Sequence, residues 1–291
     1  MNLKKFENKN ILITGASSGI GEAIALQLAN TSARLFLTGR DRERLKTVGD
    51  KCAQIRQNAA DDECNQIHSA GKTNVSDCSL RMFHVDFSDM ASIDNFVSTI
   101  TKETHSFDYI FLNAGISQRA LTLETDFSVD RTIMETNYFG PVYLIKQLFG
   151  LTKSDRPKSG RPIHIAITTS ISGLFGFPLR SAYCASKHAL FGFFESLALE
   201  DKNIKVTFLI PGRINTPISK NAVLGDGSLY AKMDSGQATG MDVDKCARIA
   251  LRAIAKGKRR KLIGGKELLM VYLKKYAPAL FYRLAQKISA T

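Results

Sequence analysis

Short apolar runs that alternate with helical segments are the feature that most constrains how this chain folds. Strands are predicted at Asn10–Thr14, Arg34–Thr38, Leu80–Val85, Tyr109–Leu112, Ile163–Thr168, Ile204–Ile210 and Lys261–Ile263. Apolar residues recur at helical spacing between them, as in Ile20–Ala29 and Ser181–Leu199. Strands that alternate with helices predict an α/β fold, here a doubly wound parallel sheet (Rossmann fold) in a single domain with helices on both faces.

The domain organisation follows from shifts in composition. We assign residues 1–255 to the sheet domain, within which Asn58–Asp77 is polar and weakly periodic and is interpreted as a surface insertion. Residues 213–240 follow the sixth strand and are rich in Gly, Ser and small polar residues, which is typical of a long loop. Residues 256–291 form a basic amphipathic C-terminal extension.

Cysteine usage and hydropathy indicate the setting. The chain has five cysteines, an odd number, without metal-ligand spacing, so we expect no metal site and a reduced, intracellular environment. We find neither a signal peptide nor the roughly 18 uninterrupted apolar residues that a spanning helix needs. These observations predict a cytoplasmic protein, with peripheral contact to the cytosolic face of a membrane as a further option.

The C-terminal extension carries most of the excess charge. It contributes +9 of the net +13, because Lys256–Thr291 holds ten Lys or Arg and one acid. Apolar and aromatic residues alternate with these cations, and Pro278 predicts a division into two helices. Such helices suit an anionic membrane surface, but they can equally fold onto the protein or across a dimer with their lysines in solvent. The absence of a nucleic-acid-binding motif argues against a nucleic-acid partner.

A glycine-rich turn joins the first strand to the first helix. Its glycines permit a tight turn and let backbone N–H groups approach a pyrophosphate at the positive end of the helix. This position favours dinucleotide binding over an ordinary turn. The candidate residues are Gly15, Ser17, Ser18, Gly19, Ile20 and Gly21.

The end of the second strand favours NADP over NAD. The strand ends in Thr38-Gly39-Arg40, where a dinucleotide site usually has an acid for the ribose 2′-hydroxyl. Arg40 can instead pair with a 2′-phosphate through two donors. Asp41 follows directly and offers an alternative, since its carboxylate can turn toward the ribose. Arg40 can also be a solvated loop cation.

Four polar residues form a candidate catalytic set. Tyr183 and Lys187 are four residues apart and share one face of a helix, where the ammonium lowers the pKa of the phenol and prepares it for proton exchange. Ser170 follows the fifth strand and can polarise a substrate carbonyl. Asn137 lies in an apolar helical stretch and therefore needs a polar partner. That partner is either a water that relays protons from Lys187 or a structural hydrogen bond. Taken singly, each motif also fits an ordinary surface pair or loop residue.

The combined motifs resemble those of the short-chain dehydrogenases/reductases over about Lys9–Ile254. They are Thr14-Gly-x-x-x-Gly-x-Gly21, Asp86, Asn113-Ala-Gly115, Asn137, Ser170, Tyr183-x-x-x-Lys187 and Pro211-Gly212 with Thr216. The resemblance implies that Ser170, Tyr183 and Lys187 act on the substrate, which Ser170 and Tyr183 bind, and that Asn137 completes a proton relay. It assigns cofactor contacts to Asp86, Phe87, Asn113, Ala114, Gly115, Tyr183, Lys187, Pro211, Gly212, Ile214 and Thr216.

The resemblance also implies a function. We expect an NADP(H)-dependent oxidoreductase that interconverts a carbonyl and an alcohol by hydride transfer, acting mainly as a reductase. The C-terminal extension is similar to those of membrane-associated members that act on steroids, retinoids or long-chain lipids, so an apolar small molecule is the expected substrate. Pairing through two long helices, about Ser128–Phe149 and Ser181–Leu199, implies a homodimer or homotetramer. The alternative is a non-catalytic NADP-binding regulator or scaffold, against which the intact Tyr183 and Lys187 argue.

The resemblance also implies that residues 213–240, called the substrate loop from here on, cover the substrate. Four apolar residues near this loop have two interpretations. Phe175, Phe177, Leu179 and Leu224 can line an apolar pocket, but core or loop-anchoring roles are favoured for each of them.

Overall fold

The strands of the sheet coincide closely with the apolar runs. The computed structural model describes residues 3–66, 79–104, 106–150 and 162–286, without the side chains of residues 60–66. Its strands are β1 (Asn10–Thr14), β2 (Arg34–Gly39), β3 (Leu80–His84), β4 (Tyr109–Leu112), β5 (Ile163–Thr168), β6 (Ile204–Pro211) and β7 (Arg260–Ile263). These strands form one parallel sheet in the order β3-β2-β1-β4-β5-β6-β7. The order reverses between β1 and β4, the place where such sheets bind ligands.

Helices cover both faces of the sheet, which confirms the doubly wound α/β architecture. They are α1 (Gly19–Leu28), α2 (Arg42–Gln66), α3 (Met90–Glu103), α4 (Phe127–Met134), α5 (Gly140–Gly150), α6 (Ser181–Glu200), α7 (Ser235–Ala238), α8 (Val243–Ala255), α9 (Leu269–Tyr276) and α10 (Pro278–Ala285). Leu12 and Phe36 point into one core with α3, α5 and α6, whereas Ile11, Ile13 and Leu35 point into the other with α1, α2 and α8. This alternation is the two-residue period of a strand that is buried on both faces.

Two segments differ from the sequence-based prediction. Helix α2 continues to Gln66, so the first part of the predicted insertion, Asn58–Gln66, extends a helix, while the rest lies outside the described residues. The predicted helix over Phe127–Phe149 contains one π-helical turn, Glu135–Phe139, between α4 and α5. A π turn inserts one residue into the helix and rotates the side chains that follow.

The C-terminal extension is part of the fold. It includes β7, which pairs with β6, so the sheet runs past the predicted boundary at residue 255. Pro278 is the first residue of α10, which confirms the predicted division into two helices. Phe281 of α10 is buried, and its ring lies 5.0 Å from that of Phe175. One side of this extension therefore packs on the domain, as one of the two interpretations requires.

The other side of the extension is solvent-exposed. Exposed apolar or aromatic side chains on α9 and α10 are Leu269, Tyr272, Tyr276, Leu280, Tyr282 and Leu284. Among the described residues, no helix combines the length and the apolar character that a membrane crossing requires.

Candidate active site

The glycine-rich turn has a backbone that only glycine accommodates. Gly15 and Gly19 have φ angles of +62° and +60°, in the left-handed region that side chains disfavour. A Cβ on Gly15 would lie 2.8 Å from the Cα of Ala114, and one on Gly21 would overlap the carbonyl oxygen of Gly15. The turn between β1 and α1 therefore packs tightly against the end of β4 and leaves the N-terminus of α1 open.

A cavity of about 390 Å³ lies at the carboxyl ends of the central strands. It brings together almost every predicted site residue. These are Gly15, Ser17, Ser18, Gly19, Ile20, Gly21, Arg40, Asp86, Phe87, Asn113, Ala114, Gly115, Ser170, Tyr183, Lys187, Pro211, Gly212, Ile214 and Thr216. Asn137 is the exception, since it does not line the cavity. The apolar candidates Phe175, Phe177, Leu179 and Leu224 do not line it either.

The end of the cavity next to β2 is rich in cations. Arg40 is exposed and lines the cavity together with Arg44 and Asp41. The carboxylate of Asp41 accepts a hydrogen bond from the backbone N–H of Arg44 at 3.0 Å and pairs with its guanidinium at 3.2 Å. The carboxylate of Asp41 is thus bound to the first turn of α2. This differs from the alternative in which it turns toward a ribose.

Hydrogen bonds between strand ends shape the centre of the cavity. The Thr14 hydroxyl accepts from the backbone N–H groups of Asn113 and Ala114, at 3.1 and 3.2 Å. The side-chain oxygen of Asn113 accepts from the Thr168 hydroxyl. Within the described residues, the side-chain nitrogen of Asn113 and the hydroxyl of Thr136 are buried without a hydrogen-bond partner, although both residues line the cavity. Two unpaired polar groups and a glycine turn fit a polar ligand such as a dinucleotide.

Lys187 is fixed by the end of β5. Its Nζ donates a hydrogen bond of 3.0 Å to the carbonyl oxygen of Thr168, and the side chain is almost completely buried. Burial lowers the pKa of Lys187 to about 8. A Cβ on Gly115 would lie 3.0 Å from Asn137 Oδ1 and 3.3 Å from Lys187 Nζ, so both side chains would have to shift slightly to accept one.

Tyr183 is buried one helical turn before Lys187. Burial raises the pKa of its phenol, while a hydrogen bond with Ser170 and the charge of Arg180 act in the opposite direction. This outcome differs from the expectation that Lys187 would set a lowered pKa. The cations that oppose the effect of burial are Arg180 and, more weakly, Arg119, because the ammonium of Lys187 points to Thr168. In this state Tyr183 is a protonated phenol at neutral pH.

Asn137 makes structural hydrogen bonds. It lies in the π-helical turn, where its side-chain oxygen accepts from the N–H of Ile116 at 2.8 Å. Its nitrogen donates to the carbonyl of Ile116 at 2.9 Å and to the hydroxyl of Ser186 at 3.0 Å. Protein groups thus occupy both donor positions of its side-chain amide, as the alternative of a structural hydrogen bond predicts. Asn137 ties the strand-end loop after β4 to α6 and so positions Lys187 indirectly.

A charged cluster beside Tyr183 escaped the sequence-based prediction. Arg119 and Arg180 both line the cavity and share the carboxylate of Asp234. Asp234 lies in the substrate loop, 115 positions from Arg119 and 54 from Arg180. The proximity of Arg180 to Tyr183 in sequence was the one available signal. The sequence spacing gave no indication that Asp234 would contact either arginine.

The comparison with known families decides the classification. A family model described as short chain dehydrogenase matches residues 9–65 and 57–226. The chain belongs to the short-chain dehydrogenase/reductase family. It is accordingly an oxidoreductase of that family, and the match spans the glycine turn, Ser170, Tyr183 and Lys187.

Similar members of the family carry related names. A Xenopus tropicalis protein named dehydrogenase/reductase SDR family member 7B is 38% identical over 276 residues, which cover 94% of this chain and 82% of the relative. A Drosophila melanogaster protein named dehydrogenase/reductase SDR family protein 7-like is 33% identical and covers 98% of this chain and 82% of its own length.

Solved structures of other short-chain dehydrogenases share the fold. One from Burkholderia phymatum, in complex with NAD, superposes with a TM-score of 0.74 at 20% identity, covering 94% of this chain and 95% of its own. Another from Burkholderia cenocepacia, in complex with NADP, gives a TM-score of 0.69 at 20% identity and covers 98% and 99%. The Rossmann-like single-domain fold is thus confirmed.

Proposed function

We propose that this short-chain dehydrogenase/reductase uses NADP(H) to interconvert a carbonyl and an alcohol, and that it acts as a reductase on a substrate with an apolar body. The observation that carries the proposal is the meeting of Tyr183, Ser170 and Lys187 in one cavity with the glycine turn of β1 and α1. No acid other than Asp41 and Asp86 is among the described residues that line this cavity. Both follow strands on the cofactor side of the sheet and neither adjoins Tyr183 in sequence, so Tyr183 is the proton donor that we assign.

Tyr183 is the proton donor in this proposal. A bound nicotinamide supplies the hydride in the direction of reduction. The phenol proton on Oη then passes to the carbonyl oxygen of the substrate, which Ser170 orients through its hydroxyl. The raised pKa of Tyr183 keeps that proton in place at neutral pH until a substrate oxygen is present to receive it.

Lys187 stabilises the site after proton transfer. Its ammonium lies 5.8 Å from the centre of the Tyr183 ring, so it adds a weaker, longer-range attraction to those of Arg180 and Arg119 once a phenolate forms. The contact with Thr168 holds this charge in one place, so no reorganisation is needed during the reaction. The same side chain can bind ribose hydroxyl groups as the family resemblance implies.

The preference for NADP rests on the charges at β2. Arg40 and Arg44 both line the cavity, and Asp41, the described acid that lines it next to them, is engaged with Arg44. A 2′-phosphate at this position meets two guanidinium groups, whereas a 2′-hydroxyl meets no carboxylate that is directed toward it. NADP therefore fits the described residues better than NAD does.

The assembly and the membrane contact are part of the same proposal. Exposed Phe139 and Leu199 lie beside α5 and at the end of α6, the helices through which we propose that two copies pair. The exposed side of α9 and α10 combines apolar residues with the exposed cations Lys275 and Arg283, and the half-buried Lys274 donates to the hydroxyl of Tyr282 on the same side. A surface of this composition suits anionic lipid headgroups.

A substrate screen tests the reaction. The purified chain is incubated with NADPH and a panel of ketones and aldehydes, and the loss of nicotinamide absorbance is followed. Oxidation that depends on both the carbonyl and Tyr183 supports the proposal. Cofactor binding without oxidation of any panel member would instead favour the alternative of a non-catalytic NADP-binding regulator.

A further inference from the structure

Glu267 is the only acid of the C-terminal extension, and its side chain reaches the end of β6. It lies in a 3₁₀ turn, Lys266–Leu268, shortly after β7. Its Oε1 accepts hydrogen bonds from the backbone N–H of Arg213 at 2.9 Å and from that of Gly265 at 3.0 Å. The carboxylate thus joins the turn after β6 to the first residues of the segment that follows β7.

Glycines on several sides of this carboxylate leave the space that it occupies. A Cβ on Gly212 or on Gly264 would overlap Glu267 Oε1, and one on Gly265 would lie 3.2 Å from Oε2. The side chain is half-buried between these two turns. Its hydrogen bonds to backbone N–H groups are charge-assisted, and such bonds are stronger than those between neutral groups. Glu267 therefore holds the backbone after β6 in one place.

The backbone that Glu267 holds belongs to the wall of the cavity. The lining residues on either side of Arg213 in the sequence are Pro211, Gly212, Ile214 and Thr216. The N–H of Gly212 donates to the carbonyl oxygen of Ile263 at 2.8 Å, so two consecutive N–H groups of this wall are bound by β7 and by Glu267. The hydroxyl of Ser170 donates to the carbonyl oxygen of Pro211 at 3.5 Å. A displacement of this backbone would therefore move the wall next to Ser170.

This wall lies on the side of the cavity where the nicotinamide of a dinucleotide is expected. The glycine turn follows β1 and suits the pyrophosphate, and Arg40 follows β2, on the side proposed for the 2′-phosphate. The sheet has the order β2-β1-β4-β5-β6, so the other half of the dinucleotide extends toward β5 and β6. Ser170 follows β5, and Gly212 follows β6.

We propose that Glu267 is a positioning residue for the nicotinamide, because it holds the backbone after β6 against which the ring lies beside Tyr183. The role of Glu267 rests on the proposed use of NADP(H). Glu267 does not itself line the cavity, so it acts through Gly212 and Arg213. Hydride transfer requires the two reacting carbons in near contact, so a small displacement of the ring costs a large part of the rate. The C-terminal extension is accordingly part of the cofactor site as well as of the core.

A purely structural bond is the competing interpretation. Loss of Glu267 would then destabilise the fold without affecting one end of the cofactor more than the other. Glu267→Ala removes both accepted hydrogen bonds, whereas Glu267→Gln keeps an acceptor oxygen in the same place. Glu7→Ala is the matched control. Glu7 is also half-buried and accepts from a backbone N–H, that of Ser32 at 2.8 Å, but it precedes β1 at the opposite edge of the sheet.

The experiment compares NADPH with 2′-phospho-ADP-ribose, which has the same adenosine end and lacks the nicotinamide. Calorimetry measures both dissociation constants without turnover. We expect Glu267→Ala to raise Kd for NADPH by about tenfold, the value of one charge-assisted hydrogen bond, and Kd for 2′-phospho-ADP-ribose by less than about twofold. Glu267→Gln should keep Kd for NADPH within about threefold of the wild-type value. Glu7→Ala should leave the ratio of the two constants unchanged.

The fluorescence of bound NADPH provides a second readout, because nicotinamide emission depends on the surroundings of the ring. At saturating NADPH the emission of Glu267→Ala should return toward that of the free cofactor, and that of Glu267→Gln should not. Equal losses of affinity for the two ligands, or unchanged affinity and emission in Glu267→Ala, would overturn the role of Glu267. A loss confined to NADPH, in a protein that reduces no carbonyl, would support that role and count against the proposed reaction alone.

Discussion

Lys187 Nζ lies 3.0 Å from the carbonyl oxygen of Thr168. This bond joins helix α6, which carries Tyr183, to the end of β5, the strand that Ser170 follows. The position of the cation is therefore determined by the sheet, and the same strand end leads directly to Ser170.

The titration of Lys187 should appear in the pH profile of reduction. Its pKa is lowered to about 8 by burial, so its positive charge is lost as the pH rises through that value. The phenol of Tyr183 stays protonated there, because its own pKa is raised. We predict that kcat/KM for a neutral ketone falls above about pH 8.

The variant Lys187→Arg assigns this step. Arginine keeps its charge over the measured range, so the fall should move to higher pH even if the rate at neutral pH is reduced. A profile with its break still near pH 8 in Lys187→Arg would show that another group is responsible.

Replacing Arg40 tests the choice of cofactor. Arg40→Ala should raise KM for NADPH by about tenfold or more, since a charge-assisted contact is lost, and should change KM for NADH by less than about twofold. Arg42, two residues further along the chain, is exposed and does not line the cavity, so Arg42→Ala is the control. Equal losses for the two cofactors would remove Arg40 from the phosphate site.

Phe281 should contribute strongly to stability. It is only 2% exposed and contacts Phe175, so Phe281→Ala should lower the free energy of unfolding by about 3 kcal/mol. Leu280 of the same helix is half-exposed, and Leu280→Ala should cost less than about 1 kcal/mol. Urea unfolding of both variants measures the difference. Equal stabilities would mean that α10 does not pack on the domain in solution.

The exposed side of α9 and α10 should bind anionic lipid. Cosedimentation with phosphatidylserine vesicles should be strong at low salt and weak with phosphatidylcholine vesicles. The double substitution Lys274→Glu and Lys275→Glu should abolish it, whereas Lys220→Glu should not. Sedimentation that is unaffected by the α9 substitutions would assign the contact to another surface.

The sequence predicts the fold and most of the cavity because both depend on local patterns. Apolar runs that end at glycine mark buried strands, and parallel strands place their carboxyl ends at one edge. The extension of α2 was missed because a surface helix with few apolar residues shows little periodicity. The π turn at Asn137 was missed because its hydrogen bonds go to Ile116 and Ser186, which only the tertiary fold brings near.

The charged cluster of Arg119, Arg180 and Asp234 could not be predicted from local sequence patterns. Arg119 and Asp234 are separated by 115 positions, and neither belongs to a spaced motif. Their contact depends on how the substrate loop folds back onto the segment after β4, as in the hydrogen bond from Arg119 N–H to the Val223 carbonyl. The raised pKa of Tyr183 could not be predicted from local patterns either, because it depends on the burial of the phenol and on the charge of Arg180.

The most direct measurement is reduction of a carbonyl by Tyr183→Phe. The ring remains, so packing is preserved, but the proton donor is lost. We predict that kcat falls by about 10²-fold or more, while the Kd for NADPH stays within about twofold. Tyr272→Phe, which alters an exposed tyrosine of α9, should retain full activity. Undiminished reduction by Tyr183→Phe would contradict the role assigned to this residue.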